Sequence, residues 1–194
     1  MKDRSRIPLR LVLAVDGHSM FYAQQKLGWF FDPKRLLQLA GHQLGMELSS
    51  AFWYTGLKDS SDQRGFRNAL TNLGYTVRTR PLRELPGQGD EVRQCDQQPG
   101  DQRSFTRANL EVEMAIDLLT VACRCDEVWL LSGSRDLDRL VEVLRAQGLR
   151  VTLVSTEGMV ARDLRNAADR FVDLASLRGE LERSEAQQAP VFSR

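Results

Sequence analysis

Three cysteines and two histidines are all the thiol and imidazole ligands that the 194 residues hold. A structural zinc site takes about four Cys or His ligands at short spacings, and Cys95, Cys123, Cys125, His18 and His42 make no such pattern. The cysteine count is odd, and Cys123 and Cys125 stand two apart near a predicted helix end, poorly placed for a mutual disulfide. The expectation is a reduced compartment and no structural zinc. Long apolar runs are missing as well. Leu11–Val15 ends at once in Asp16, too short for a signal-peptide core or a membrane span. A cytoplasmic protein with no membrane partner is expected.

Net charge is equally scarce. Lys plus Arg number 27 against 26 Asp plus Glu, a balance of +1, so bulk charge gives no strong pull toward nucleic acid. The glycine signatures of nucleotide binding are absent: there is no P-loop, and no G-x-G-x-x-G follows a strand. Ser132-Gly133-Ser134 is only loosely like a phosphate-cradling turn. His18 has no Ser or Cys partner in a motif, so no nucleophilic triad is legible. Nucleotide-cofactor chemistry is disfavoured.

What is present is alternation. With 42% apolar and 27% charged residues, the length fits one soluble domain. Strands are expected at Leu11–Val15, Ser49–Thr55, Tyr75–Arg80, Val128–Leu131, Leu149–Val154 and Phe171–Leu174. Between them helical signals cover 18–27 and run from the Asp32-Pro33 start to about Leu48. Others span Asp62–Leu73 closed by Gly74, Thr106–Cys123, Leu137–Gln147 and Met159–Ala168. The Pro- and Gly-rich stretch Pro81–Asp101 reads as a long loop, functional or mobile, and the chain past Leu177 as a frayed polar tail. Such βα alternation gives a mainly parallel α/β sheet with helices on both faces.

The chemistry-bearing positions are acidic. Asp16 and Asp136 follow apolar strands, and Glu111 opens a helix. Open α/β sheets place ligands at the carboxyl ends of strands, and carboxylates converging there from separate elements call for a divalent cation. The plain alternative is that Asp after a strand is a turn residue or helix cap. Likewise Glu113 and Asp117, four residues apart, suit a solvated face opposite the apolar stripe Leu110, Met114, Leu118 and Val121. The arginines from Arg78 to Arg107 are interleaved with acids, which makes that segment mixed rather than basic.

Five segments carry a family resemblance: VDGHSMFYA at 15–23, RPLRELP at 80–86, ANLEVEMAIDLL at 108–119, VWLLSGSRDLDRLVEVLRAQGLRVTLVS at 128–155 and LRNAADRFVDL at 164–174. In their order the chain resembles the NYN domains of the PIN-like nuclease superfamily, in the LabA-like, DUF88 group. The resemblance implies a PIN-like three-layer α/β/α sandwich over residues 9–177, followed by a tail over 178–194. It implies a ribonuclease acting on single-stranded RNA with Mg²⁺ or Mn²⁺. Asp16, Glu111 and Asp136 would be the catalytic carboxylates and metal ligands, with Asp117 at a further commonly acidic position. Ser19, Arg80, Arg83, Arg107, Ser132 and Ser134 would meet the substrate.

The departures are specific. Ser19 stands where the family has Asn, Ala108 and Asn109 replace Lys-Gly, and Glu111 replaces Asp. Ser134 replaces an acid and Leu137 a Phe. Loss of an acid at 134 implies weak metal binding. It also opens a second reading, a catalytically degenerate domain that binds RNA or a protein as a regulatory module. The oligomeric state stays open, a homodimer included.

Overall fold

The computed structural model describes residues 8–42, 46–57, 64–85, 105–107 and 109–183. Strands β1 (Leu9–Asp16), β2 (Met46–Leu57) and β3 (Thr76–Pro81) precede two short ones, β4 (Arg83–Leu85) and β5 (Phe105–Arg107). Then come β6 (Glu127–Leu131), β7 (Arg150–Ser155) and β8 (Arg170–Asp173). All but β4 and β5 form one six-stranded sheet in the order β3-β2-β1-β6-β7-β8, every pairing parallel. The chain winds outward from β1 in one direction and from β6 in the other. The reversal leaves a crevice outside the carboxyl ends of β1 and β6.

Side chains alternate across the sheet, and each face has its own core. Val12, Ala14, Phe52, Tyr54, Val128 and Leu130 point one way. There they meet α4 (Glu111–Val121), α5 (Asp138–Ala146) and α6 (Arg162–Ala167) through Met114, Leu118, Leu140, Val141, Leu144 and Leu164. Leu11, Leu13, Val15, Trp53, Trp129 and Leu131 point the other way. They are covered by α1 (Gly17–Leu27), α2 (Pro33–Gly41), α3 (Arg64–Leu73) and α7 (Arg178–Leu181) through Met20, Ala23, Leu36, Ala40, Leu70 and Leu181. This is the expected α/β/α sandwich.

Several boundaries differ from expectation. The helix from Pro33 ends at Gly41, because Met46–Leu48 are drawn into β2 beside Leu9–Leu11 of β1. Leu44 lies outside the described residues, as do most of the long loop and the tail from 184. Residues 105–107, expected to begin a helix, pair antiparallel with 83–85, Phe105 against Leu85 and Arg107 against Arg83. The helix begins only at Glu111. The helix expected over Met159–Ala168 is shorter and starts at Arg162. The chain just past Leu177 does not fray. It forms α7, with Leu181 fully buried and Glu182 bridged to Phe31. No helix among the described residues is long and apolar enough to cross a membrane.

Candidate functional site

Asp16 is the last residue of β1 and the N-cap of α1. Its Oδ1 accepts from the backbone amides of His18 and Ser19, each at 3.1 Å. Its Oδ2 accepts from the Ser19 hydroxyl at 2.5 Å and from Ser132 Oγ at 2.8 Å. Four donors therefore converge on one carboxylate and hold it in a single orientation. Ser132, fully buried just past β6, brings the β6 side of the crevice to the β1 side. Its Oγ also accepts from the Ser134 amide at 3.2 Å, and Ser134 Oγ donates to Glu111 Oε1 at 3.3 Å. A chain of hydrogen bonds thus runs Asp16–Ser132–Ser134–Glu111 across the switch point.

Two glycines let the backbone approach this closely. A Cβ on Gly17 would lie 2.7 Å from the Tyr54 carbonyl oxygen and 2.8 Å from Trp53 Nε1. On Gly133 it would lie 2.4 Å from the Met159 carbonyl oxygen. The turn after β6 is consequently seated against the loop after β7, where the Ala161 amide donates to the Gly133 carbonyl at 3.2 Å.

Asp136 does not join Asp16 and Glu111 in a tight cluster. Residues Arg135–Leu137 form a 3₁₀ turn that buries Leu137, and this leaves Asp136 exposed. Among the described residues no three Asp, Glu, His or Cys side chains come together as a metal cage. Asp117 has other partners. Arg78 grips both of its oxygens at 2.8 Å, and Tyr54 donates to it at 3.2 Å. One turn earlier Glu113 pairs with Arg80, an expected substrate contact. Arg83 and Arg107 face each other in backbone register.

The Arg78–Asp117 and Arg80–Glu113 pairs are a matched ladder. Two residues along a strand advance about 6.6 Å, and four along a helix about 6 Å, so β3 and α4 pair at consecutive rungs. Beneath the ladder, burial first and the Asp117 charge second push the Tyr54 phenol far above its ordinary range, and it remains a donor. Tyr54 and Arg78 were missed as site-adjacent residues. Only the β2–β3 register, Tyr54 opposite Arg78, reveals them.

A cleft of about 680 Å³ lies at the opposite, amino edge of the sheet, lined by residues such as Arg10, Cys123, Glu127 and Arg150. Glu127 there already accepts from Trp129 at 2.9 Å and Thr152 at 2.8 Å. None of the candidate residues lines this cleft.

Comparison with known proteins identifies the family and the fold. The profile of the NYN domain matches residues 10–177. The low amplitude and bright protein LabA of Synechococcus elongatus is 48% identical over 190 residues, 96% of this chain and 97% of that protein. A crystal structure of a Vibrio parahaemolyticus protein of unknown function superposes with a TM-score of 0.66 at 21% identity. It covers 89% of this chain and 96% of that one, and shows the shared fold.

Proposed function

The chain belongs to the NYN domain family, and on that premise we propose that it is a divalent-metal-dependent ribonuclease acting on single-stranded RNA at the carboxyl-edge crevice. The observation that supports this most is the Asp16–Ser132 hydrogen bond of 2.8 Å, which ties an acid to a hydroxyl at the switch point of the sheet.

The donor set suits Mg²⁺ or Mn²⁺. Every side chain in the chain of hydrogen bonds is a hard oxygen donor, and Mg²⁺ is usually held by one or two carboxylates together with waters and substrate phosphate. Asp16 and Glu111 would hold the ion, with Asp136 adding charge from the adjoining turn. The ion would supply Lewis-acid polarisation of the phosphate and an acidified water. The residues do the positioning. Ser19 and Ser132 fix the orientation of Asp16, and Ser134 fixes Glu111. Rotation of the O–H away from its carboxylate would let Ser19 and Ser134 donate to incoming phosphate oxygens, while fully buried Ser132 keeps its bond to Asp16. Arg83 and Arg107 would meet phosphates from the β4–β5 ribbon, and Arg80 would do so on releasing Glu113.

A second reading has its own support. Asp16 is already satisfied by four donors, and Ser134 stands where the NYN resemblance implies an acid. A site whose carboxylate is already so engaged suits a catalytically degenerate module that binds RNA or a protein. A cleavage assay on mixed-sequence single-stranded RNA, titrated with Mn²⁺ and repeated with chelator, separates the two. Metal-dependent cleavage supports the nuclease, and RNA bound but uncut supports the module. RNA neither bound nor cut defeats the nuclease and leaves the module a protein partner.

A further inference from the structure

His18, Tyr22 and Lys26 are spaced by four, so they form one stripe along α1. Most of the aromatic rings described are buried, yet Tyr22 is 45% exposed and Phe30 42%. The rings make a continuous run. His18 meets Tyr22 edge-on at 5.1 Å, Tyr22 meets Phe21 at 5.6 Å, and Phe21 meets Phe30 at 6.3 Å. The run starts at the crevice itself, because the His18 amide is one of the donors to Asp16.

The stripe ends in a cation. Lys26 Nζ reaches the Glu157 carbonyl at 3.3 Å, and no carboxylate among the described residues pairs with it. Glu157 is itself engaged by Arg165 at 2.8 Å. The loop that carries Glu157 is the one seated on Gly133 through Met159. It therefore borders both the head of the stripe at the Ser132–Ser134 turn and its foot at Lys26. From His18 to Lys26 is about 12 Å along the helix. Exposed rings with an unpaired cation on one face match what a single strand offers, open bases to stack and phosphates to neutralise.

We propose that the outer face of α1 is a base-stacking track for single-stranded RNA leading from the Asp16 crevice, with Tyr22 as the platform, His18 and Phe30 extending it, and Lys26 holding a phosphate. The track presupposes the RNA reading above and adds where the bases lie. A double-stranded substrate, whose bases stack on one another, would not use it.

Fluorescence anisotropy on the whole chain tests it with two probes: a labelled mixed-sequence single-stranded RNA, and an abasic ribose-phosphate strand of equal length. Wild type binds the RNA more tightly than the abasic strand. Tyr22→Ala weakens RNA binding about tenfold, within the range of one base–aromatic stack, and leaves the abasic strand unchanged. Tyr22→Phe keeps the ring and restores RNA binding, which separates stacking from folding. Lys26→Gln weakens both probes and lowers the salt slope by about 0.7. Equal wild-type affinity for the two probes, or Tyr22→Ala binding RNA as wild type does, overturns the track and leaves phosphate-mediated RNA binding standing. A wild type that binds neither probe overturns the RNA reading itself, and the track with it.

Discussion

Ser134 Oγ donates to Glu111 at 3.3 Å from the position where the NYN resemblance implies an acid. A carboxylate there would add charge beside Glu111 and offset more of the cost of stripping water from a cation. We expect Ser134→Asp to tighten Mn²⁺ binding about tenfold, the lower part of the range by which supporting groups alter metal affinity. Isothermal calorimetry reads it, and unchanged affinity would remove residue 134 from the metal site. A second residue-scale prediction concerns the thiols. Burial, with the charge of Asp126 behind it, pushes the Cys125 thiol up to about 11, whereas Cys123 is exposed. Because the protonated thiol is the favoured folded form, its contribution to stability is complete below the unfolded pKa near 8.5 and is lost as pH rises toward about 11. At pH 8 iodoacetamide should label Cys123 well before Cys125; equal labelling would contradict this burial. Asp16 was legible because an acid ending an apolar run is a local pattern. Its partner Ser132 lies 116 residues away, and a hydrogen bond across that separation leaves no local trace.

Helix α4 is apolar on both sides. Met114 and Leu118 are buried under the sheet, while Val112 is 64% and Ile116 60% exposed. Met114→Ala should cost about 2–5 kcal/mol of unfolding free energy. Ile116→Ala should stay within about 0.5 kcal/mol. Urea denaturation checks both, and a large loss at Ile116 would mean that this face is covered in solution. The inward stripe was readable from its spacing. The true start of α4 was not, because Phe105–Arg107 carry no helix-breaking residue, and their strand state comes from pairing with 83–85. In the same way α2 was read too long. Leu48 keeps the helical spacing, yet it pairs with Leu11 of β1. Local pattern marked the six strands of the main sheet and most of their helices, strand pairing set where they end, and α7 and the β4–β5 ribbon had no such local mark.

At the scale of the whole molecule, the order β3-β2-β1-β6-β7-β8 puts the reversal of winding at β1 and β6, and the acid–hydroxyl pair at their carboxyl ends. Position, more than any single residue, is what proposes this crevice as the site. The chain belongs to the NYN domain family. The central claim is that Asp16 serves chemistry beyond capping α1. Asn is as good an N-cap as Asp, so Asp16→Asn keeps the helix start and the side-chain size while removing the charge. The direct measurement is the rate of Mn²⁺-dependent cleavage of single-stranded RNA by Asp16→Asn against wild type, with thermal midpoints compared alongside. The expected result is a fall of about 10²-fold or more, the scale seen when a stabilising group is lost from a catalytic site, with the fold intact. An equal rate in the two proteins would contradict it.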